Sequence, residues 1–385
     1  MIIVGDEMKK ILYIVPTLSA GGIESFVCDL SENLNKTKYE IHVATFNPNN
    51  AIHKDRLEKN CVKIHFISDA GSSDTILNKI LWRFKAIVNY NRLLSKYKFD
   101  VVHCHNFLSY HWYILIAKLK KIPIRIIHCH TAGSEKEDKL KYTIRRIKNS
   151  ILFEKLATHR IGCSNVSAKW MFGNKSIENR YAMTIYNGVN GQRFCEEPYV
   201  NLKDKIKNKY KIDNRKINFI HIGRFCIPKN QIFLIKIFNK LIKYDKSIHL
   251  HIVGEGPLEK DIKNQISDLN MNDNVTFYSS KTDIAEIMSV MDFFILPSKW
   301  EGFPVTAIEA QFMNLETFLS DKITDEVNMG LCNYISIEDN EIIWAEKIIN
   351  IIKNRTKKYV DADSRKYFDI RNISKQFEDI YDLGE

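Results

Sequence analysis

Short apolar runs and helical stretches alternate along this chain, and the alternation stops once and then starts again. In the first half the runs are KKILYIVP (9–16), YEIHVATF (39–46), VKIHFI (62–67), FDVVHCH (99–105), IRIIHCH (125–130), HRIGCS (159–164) and AMTIYNG (182–188). They are rich in Val and Ile and separated by helical patterns, the signature of parallel strands buried on both faces and joined by helical crossovers. A polar, lysine-rich interval, RFCEEPYVNLKDKIKNKYKIDNRK (193–216), breaks the rhythm. The same grammar resumes with INFIHIG (217–223), IHLHIVG (248–254), NVTFYSS (274–280), DFFILPS (292–298) and ETFLSD (316–321). The pattern predicts two doubly wound, Rossmann-like α/β domains, 8–195 and 215–363. The segment 364–385 reads as an amphipathic helix with no strand after it, able to pack back on either domain; the N-terminal one is its expected seat. Ligands of such sheets bind at the carboxyl ends of the strands, so the expected site is a cleft that both domains face.

Bulk properties narrow the class. A length of 385 residues, 45% hydrophobic and 27% charged, suits two or three globular domains. No run of about 18 apolar residues is present, which excludes a transmembrane helix. The start lacks a secretory pattern, and residues 1–7 read as a leader ahead of a natural start at Met8. Eight cysteines stand singly with no CxxC pair. That argues against a disulfide framework or zinc ribbon and fits a cytoplasmic protein. The net charge of +11 is uneven: residues 1–200 carry +12 and the remainder −1. Two readings fit, an anionic surface facing the first half or lysine usage with no partner behind it.

The strand ends carry the chemistry-bearing residues. In TLSAGGIES, Gly21 and Gly22 precede a helix and can bring backbone N–H groups to an anion, or simply make a tight turn. It is not a G-x-G-x-x-G fingerprint, and no acid ends the second strand, so a dinucleotide site is not expected. HCHNFLS (103–109) and HCHTAGS (128–134) form a near-repeat. Residues i and i+2 share a strand face, so four imidazoles could be offered to zinc, but no carboxylate follows at ligand spacing. No metal is expected; the first histidine of each pair reads as a core residue. His105 and His130 reach the rim, where an imidazole can bond a substrate hydroxyl, and His130 precedes a small loop. In HIGRFCIPKNQ, Arg224 and Lys229 bracket a strand-end loop and suit a diphosphate, or are merely solvated cations. HIVGEGPLEKDI shows only that the chain turns sharply after a strand.

LPSKWEGFPVTAIEAQ (296–311) is the densest stretch. Gly302, Phe303, Pro304 and Val305 lead into a helix whose first N–H groups face an anion, with Pro304 expected as the first helical residue. Glu309 leans back toward that end and can grip a diol, such as a ribose. Glu301 reaches the other side of the same seat.

GRFCIPKN, IVGEGPLEKDI, PSKWEGFPVTAIEAQ, GGIE and IYNGVN together resemble the retaining glycosyltransferases of the family-4 type, which have the GT-B fold, and their capsular and exopolysaccharide branch in particular. The resemblance spans nearly the whole chain, and its E-x7-E element (Glu301, Glu309) is its most specific part. It implies an acceptor-binding first domain and a second domain that binds a nucleotide sugar, with UDP favoured as the nucleotide. Arg224 and Lys229 would hold the diphosphate, Glu309 the ribose and Glu301 the sugar hydroxyls. His130 would meet the transferred sugar and Gly22 would close over the phosphates; His105, from its own place at the rim of the acceptor domain, is expected to serve the acceptor. No metal or other cofactor is implied. Two departures stand out: FMNLETF replaces the usual Gly-Leu-Pro turn after the second Glu, and Asn190 replaces the usual acid of NGVD, so it is given no role.

The implied acceptor is lipid-linked, since 78–99 and 139–156 are basic and striped with apolar residues that suit an anionic membrane; the other reading is a core-facing stripe, favoured for 139–156. The rival readings are a nucleotide-sugar epimerase of the same fold and a basic anion-binding protein without catalysis. No stacking-aromatic run of the kind that binds RNA is present, so nucleic acid is not an expected partner.

Overall fold

The structure is a computed structural model that describes residues 8–19, 21–48, 51–68, 75–105, 111–133, 140–356 and 358–383. The expected leader, residues 1–7, lies outside them. The chain divides into two units. The first holds β1 (Lys9–Val15), β2 (Tyr39–Thr45), β3 (Lys63–Phe66), β4 (Val101–His105), β5 (Ile124–Cys129), β6 (His159–Gly162) and β7 (Met183–Thr184). The second holds β8 (Ile217–Ile222), β9 (Ile248–Val253), β10 (Val275–Tyr278), β11 (Phe293–Leu296), β12 (Glu316–Ser320) and β13 (Cys332–Ile335). Each apolar run read from the sequence is a strand. β13 is an addition: CNYI is four residues long and half polar, too little signal to stand out.

Both sheets are parallel throughout, ordered β3-β2-β1-β4-β5-β6-β7 and β10-β9-β8-β11-β12-β13. The order reverses between β1 and β4 in one sheet and between β8 and β11 in the other. Such switch points leave a crevice at the strand ends because neighbouring crossovers depart to opposite faces. Gly22 opens the helix that follows β1 and His105 ends β4, while the loops after β8 and β11 carry Arg224, Lys229 and Glu301. Strand residues such as Ile11, Ile14, Val102 and Ile127, and Phe219, Leu250 and Ile295, are wholly buried, as a sheet covered on both faces requires.

The unit boundaries differ from the sequence expectation. The first unit ends at Gly188 and regains Ile370–Glu385; the second runs Val189–Asp369. The lysine-rich interval is not a linker. It contains the helix Lys203–Tyr210, which buries Ile206, while Tyr210 bonds Glu286 at 2.6 Å and its carbonyl accepts from Tyr278 at 2.9 Å. The C-terminal helix is two helices, Ala362–Phe368 and Ile370–Asp382. They break at Asp369, whose extended backbone (φ −67°, ψ 131°) pairs with Val189. The first helix stays with the second unit, where Arg365 donates to the Phe312 carbonyl at 2.7 Å.

The helix Ile370–Asp382 belongs to the first unit. Ile370, Ile373, Phe377, Ile380 and Tyr381, at helical spacing, form one buried stripe against Phe26, Tyr13 and Ile185. Each such side chain contributes about 1.5–3 kcal/mol when buried. Asp382 adds a 2.7 Å bond from Tyr39 and an ion pair with Lys38. Among the described residues, no helix is long and apolar enough to cross a membrane.

Candidate functional site

In the second unit the β8 loop is fixed from below. His221, wholly buried, shares Nδ1 with the Ile295 carbonyl at 3.0 Å, so that nitrogen carries the proton. Its Nε2 therefore accepts from Gln231 Nε2 at 3.2 Å, and Gln231 also donates to the Arg224 carbonyl at 2.9 Å. Burial holds the His221 pKa down at about 4, so the ring stays neutral. The Gly-x-Gly turn read as mere punctuation packs against this loop. A Cβ on Gly254 would fall 2.2 Å from the Gly223 carbonyl oxygen, and one on Gly256 would fall 2.4 Å from that of Phe225. Only glycine permits that approach, and Gly254 also has φ +147°. Phe225 N–H donates to the Glu255 carbonyl at 3.0 Å. Arg224 thus projects from a rigid base into solvent, and among the described residues its guanidinium makes no ion pair or hydrogen bond.

The β8 and β11 loops are tied to each other. Lys299 N–H donates to the Pro228 carbonyl at 2.8 Å, and Asn230 Nδ2 to that of Pro297 at 3.1 Å. The Lys229 stem runs over Gly223, where a Cβ would come within 3.1 Å of its Cε. Its ammonium reaches Glu301 at 2.6 Å, and Ser298 also donates to Glu301 at 2.7 Å. Lys229 and Glu301, read separately from the sequence, are therefore one largely buried pair.

The helix Val305–Phe312 begins one residue later than expected. Pro304 is its N-cap, with ψ 90°, and makes no side-chain hydrogen bond to cap it. Thr306 Oγ1, in the first turn, is buried without a partner. Uncapped N–H groups and the helix dipole make this end a seat for an anion. Gly302, Phe303 and Pro304 wall it as buried residues, and Glu309 is half-buried farther along. In the FMNLETF turn beyond, Asn314 takes the left-handed conformation (φ 55°), which asparagine tolerates. Arg365 braces it, donating to Asn314 Oδ1 at 2.8 Å.

In the first unit, the Gly21–Gly22 turn already holds an acid. Glu24 folds back so far that a Cβ on Gly21 would fall 2.3 Å from its Oε2, and Thr17 donates to its Oε1 at 2.6 Å. A carboxylate at this helix end disfavours the phosphate contact expected of Gly22, although Gly22 itself faces open space. The acid was visible in GGIE; its fold-back was not.

β4 and β5 place His105 opposite His128. His103, His105 and His128 are wholly buried, and His130 is half-buried. His103 stacks on His105 with ring centroids 3.9 Å apart, and His128 lies tilted by 35° against His130 at 4.0 Å. Across the strands, His105 Nδ1 meets His130 Nε2 at 3.2 Å and His103 Nε2 meets His128 Nδ1 at 3.3 Å. Tyr381 from the C-terminal helix bonds His103 Nδ1 at 2.8 Å. Burial drives all four pKa values down, that of His130 to about 3, so the rings are neutral. Ligand atoms of His103, His105 and His128 lie within 4.8 Å of one another, close enough for a metal ion. The arrangement suits one poorly, because lone pairs lie in the ring planes and stacked rings do not converge them. Among the described residues, no carboxylate stands in the cluster to balance a buried dication.

The stack corrects two expectations. His105 has no exposed surface and cannot touch an acceptor as placed. His130 reaches the rim, yet its Nε2 faces His105 and its Nδ1 is buried without a partner of strict hydrogen-bond geometry. Asn187, from the IYNGVN motif, is the neighbour that opposes the loss of its proton.

The chain is 26% identical to the capsular polysaccharide biosynthesis glycosyltransferase CapH of Staphylococcus aureus over 97% of its own length and 99% of that protein. It is 26% identical to the UDP-Gal:alpha-D-GlcNAc-diphosphoundecaprenol alpha-1,3-galactosyltransferase of Escherichia coli over 78% of each. Its fold overlays that of Anabaena HepE, crystallised with UDP and glucose, at a TM-score of 0.79, 16% identity and 96% coverage (98% of HepE). "Glycosyltransferase Family 4" matches residues 20–193 and "Glycosyl transferases group 1" matches residues 203–368. With successive matches spanning both units, the chain belongs to the group 1, family-4 glycosyltransferases, and its two parallel-sheet units are those of the GT-B fold.

Proposed function

We propose that this glycosyltransferase moves a sugar from a nucleoside diphosphate, with UDP as the nucleotide, to a hydroxyl of a lipid-linked saccharide in surface polysaccharide synthesis, with retention at the anomeric carbon. The observation that carries the reading is the unpaired Arg224 guanidinium and the uncapped helix Val305–Phe312, both at the switch point of the second sheet. CapH and the galactosyltransferase support the substrate class by what they are named for. The donor's anomeric C–O bond to the diphosphate breaks as the acceptor oxygen bonds the same carbon from the same face. The acceptor's proton passes to an oxygen of the departing diphosphate. Arg224, Lys229 and the helix end stabilise the negative charge that develops there, taking the part a metal ion could otherwise play. Glu309 holds the ribose. Glu301, neutralised by Lys229, orients sugar hydroxyls and is not a general base. His130 meets the transferred sugar as a neutral ring, which rules it out as an imidazolium acid at neutral pH. Purified enzyme should release UDP from a UDP-sugar only when a diphosphate-lipid-linked saccharide is added, giving an axially linked product from an axial donor. Conversion of the donor without acceptor would identify an epimerase instead.

The acceptor reading carries a second expectation. Leu77, Ile80, Leu81 and Phe84 are exposed on the helix Ile76–Tyr97, beside exposed Lys79, Arg83 and Lys85. Ile144, Ile147 and Ile151 are likewise exposed on Leu140–Leu156, where a core-facing stripe was the favoured expectation. Apolar and cationic side chains together fit an anionic lipid surface. The enzyme should float with phosphatidylglycerol vesicles, less so at high salt, and Leu81→Ser with Phe84→Ser should abolish flotation. Equal recovery of that double variant would remove this surface from the account.

A further inference from the structure

We propose that His105 is a positioning residue that fixes the tautomer of His130, holding protonated Nδ1 toward Asn187 and bare Nε2 toward the strand. The importance of this to turnover rests on the reading that His130 meets the transferred sugar; the tautomer itself does not. Two neutral imidazoles share one hydrogen bond only if one donates and the other accepts. His105 Nδ1 and His130 Nε2 are 3.2 Å apart, and both rings are held neutral by burial.

The outer atoms decide the direction. Among the described residues, His105 Nε2 is buried with no partner. Were His130 Nε2 the donor, His105 Nδ1 would be bare and its proton would sit on Nε2, an orphaned buried N–H. Such donors are rarer in folded proteins than under-satisfied acceptors. His130 Nδ1 would then also be bare, facing an Asn187 Oδ1 that has no other partner. Two acceptors would meet with no proton between them. The opposite direction removes both faults: His105 Nδ1–H donates to His130 Nε2, and the His130 proton is left on Nδ1, with the acceptor Asn187 as its neighbour. Asn187 favours a proton on His130, in agreement. The surroundings make the assignment stable. Tyr13 packs edge-on against His105 at 5.2 Å with its hydroxyl bonded to that of Tyr381, and Phe26 lies 5.6 Å from His130; His103 and His128, which lie over the two rings, bond each other at 3.3 Å. His130 therefore turns no ring N–H outward, and what reaches the rim is the carbon edge of a clamped ring.

Selective 15N-histidine labelling, with His130 assigned by its loss in His130→Gln, tests this on the enzyme without substrate. Wild type should show a protonated Nδ1 and a pyridine-like Nε2 at His130. His105→Leu keeps the site apolar but removes the donor, and should mix or reverse the two tautomers. It should also lower kcat by roughly tenfold to a hundredfold with donor KM little changed. His105→Asn restores an N–H near the Nδ1 position and should recover both the tautomer and most of the rate. A His130 protonated on Nε2 in wild type, or a tautomer unmoved in folded His105→Leu, would overturn the proposal. If the tautomer behaves as stated but both His130→Gln and His105→Leu keep full turnover, the role given to His130 is what fails.

Discussion

Arg224→Ala is expected to lower turnover by about a hundredfold to a thousandfold while leaving the fold intact. The size follows from what remains. Removing one preorganised donor from developing charge costs that much where nothing replaces it. Lys229 cannot take over, because Glu301 holds its ammonium at 2.6 Å and Gly223 lies under its stem. The helix end supplies fixed dipoles but no full charge. Stability should change by less than about 0.5 kcal/mol, because the side chain is exposed and its loop is held through the backbone carbonyl by Gln231. Arg224→Lys should recover only part of the rate, since an ammonium lacks the fork that grips two phosphate oxygens. Steady-state kinetics with thermal melts of the same preparations check all three statements.

The largest effect on stability should come from acid. His103, His105 and His128 are buried and neutral, with folded pKa values pushed far below the ordinary one. In the unfolded chain each takes up a proton near pH 6.5. The unfolded state therefore binds more protons at lower pH, and the sign is fixed: stability is complete above about pH 6.5 and lost as pH falls. Each residue contributes about 1.4 kcal/mol per pH unit once its unfolded form is charged, so the three together give about 4. His221 and His251 act in the same direction in the second unit, with folded pKa values near 4 and 3. Against a total of roughly 5–15 kcal/mol for a domain, the first unit should unfold cooperatively between about pH 5 and 4. Urea unfolding from pH 7.5 to 4.5 measures it. A stability unchanged between pH 6 and 5 would mean that the histidines are not buried neutral, whatever the function.

How much of this was legible beforehand depends on whether the signal was local. Strands such as IHLHIVG and DFFILPS declare themselves because a doubly covered strand needs apolar residues at nearly every position. Arg224, Gly302 to Val305 and Glu309 were legible because strand-end loops and helix starts are read from short spacings. The pairing of Lys229 with Glu301 was not, since the two are brought together only by parallel pairing of β8 with β11. Asn187 was visible as a motif but could not be matched to His130, which lies two strands away in the chain. The fold-back of Glu24 depends on Gly21 having no side chain to block it. The helix break at Asp369 carried no proline or glycine; it is set by the pairing of that residue with Val189, which a linear reading does not show. At Asn314 an altered turn was expected from the missing glycine, and the structure shows a left-handed residue there, a backbone that asparagine tolerates.

Calorimetric titration with UDP, GDP, ADP and TDP tests the central claim most directly, because the second unit's loops are assigned to a nucleoside diphosphate before any acceptor is known. The account predicts saturable binding of at least one of them, UDP first. It also predicts weakening by about tenfold to a hundredfold in Arg224→Ala, the value of a lost hydrogen bond to a charged group. A folded wild-type chain that binds none of the four, or that binds one equally well without Arg224, would contradict it.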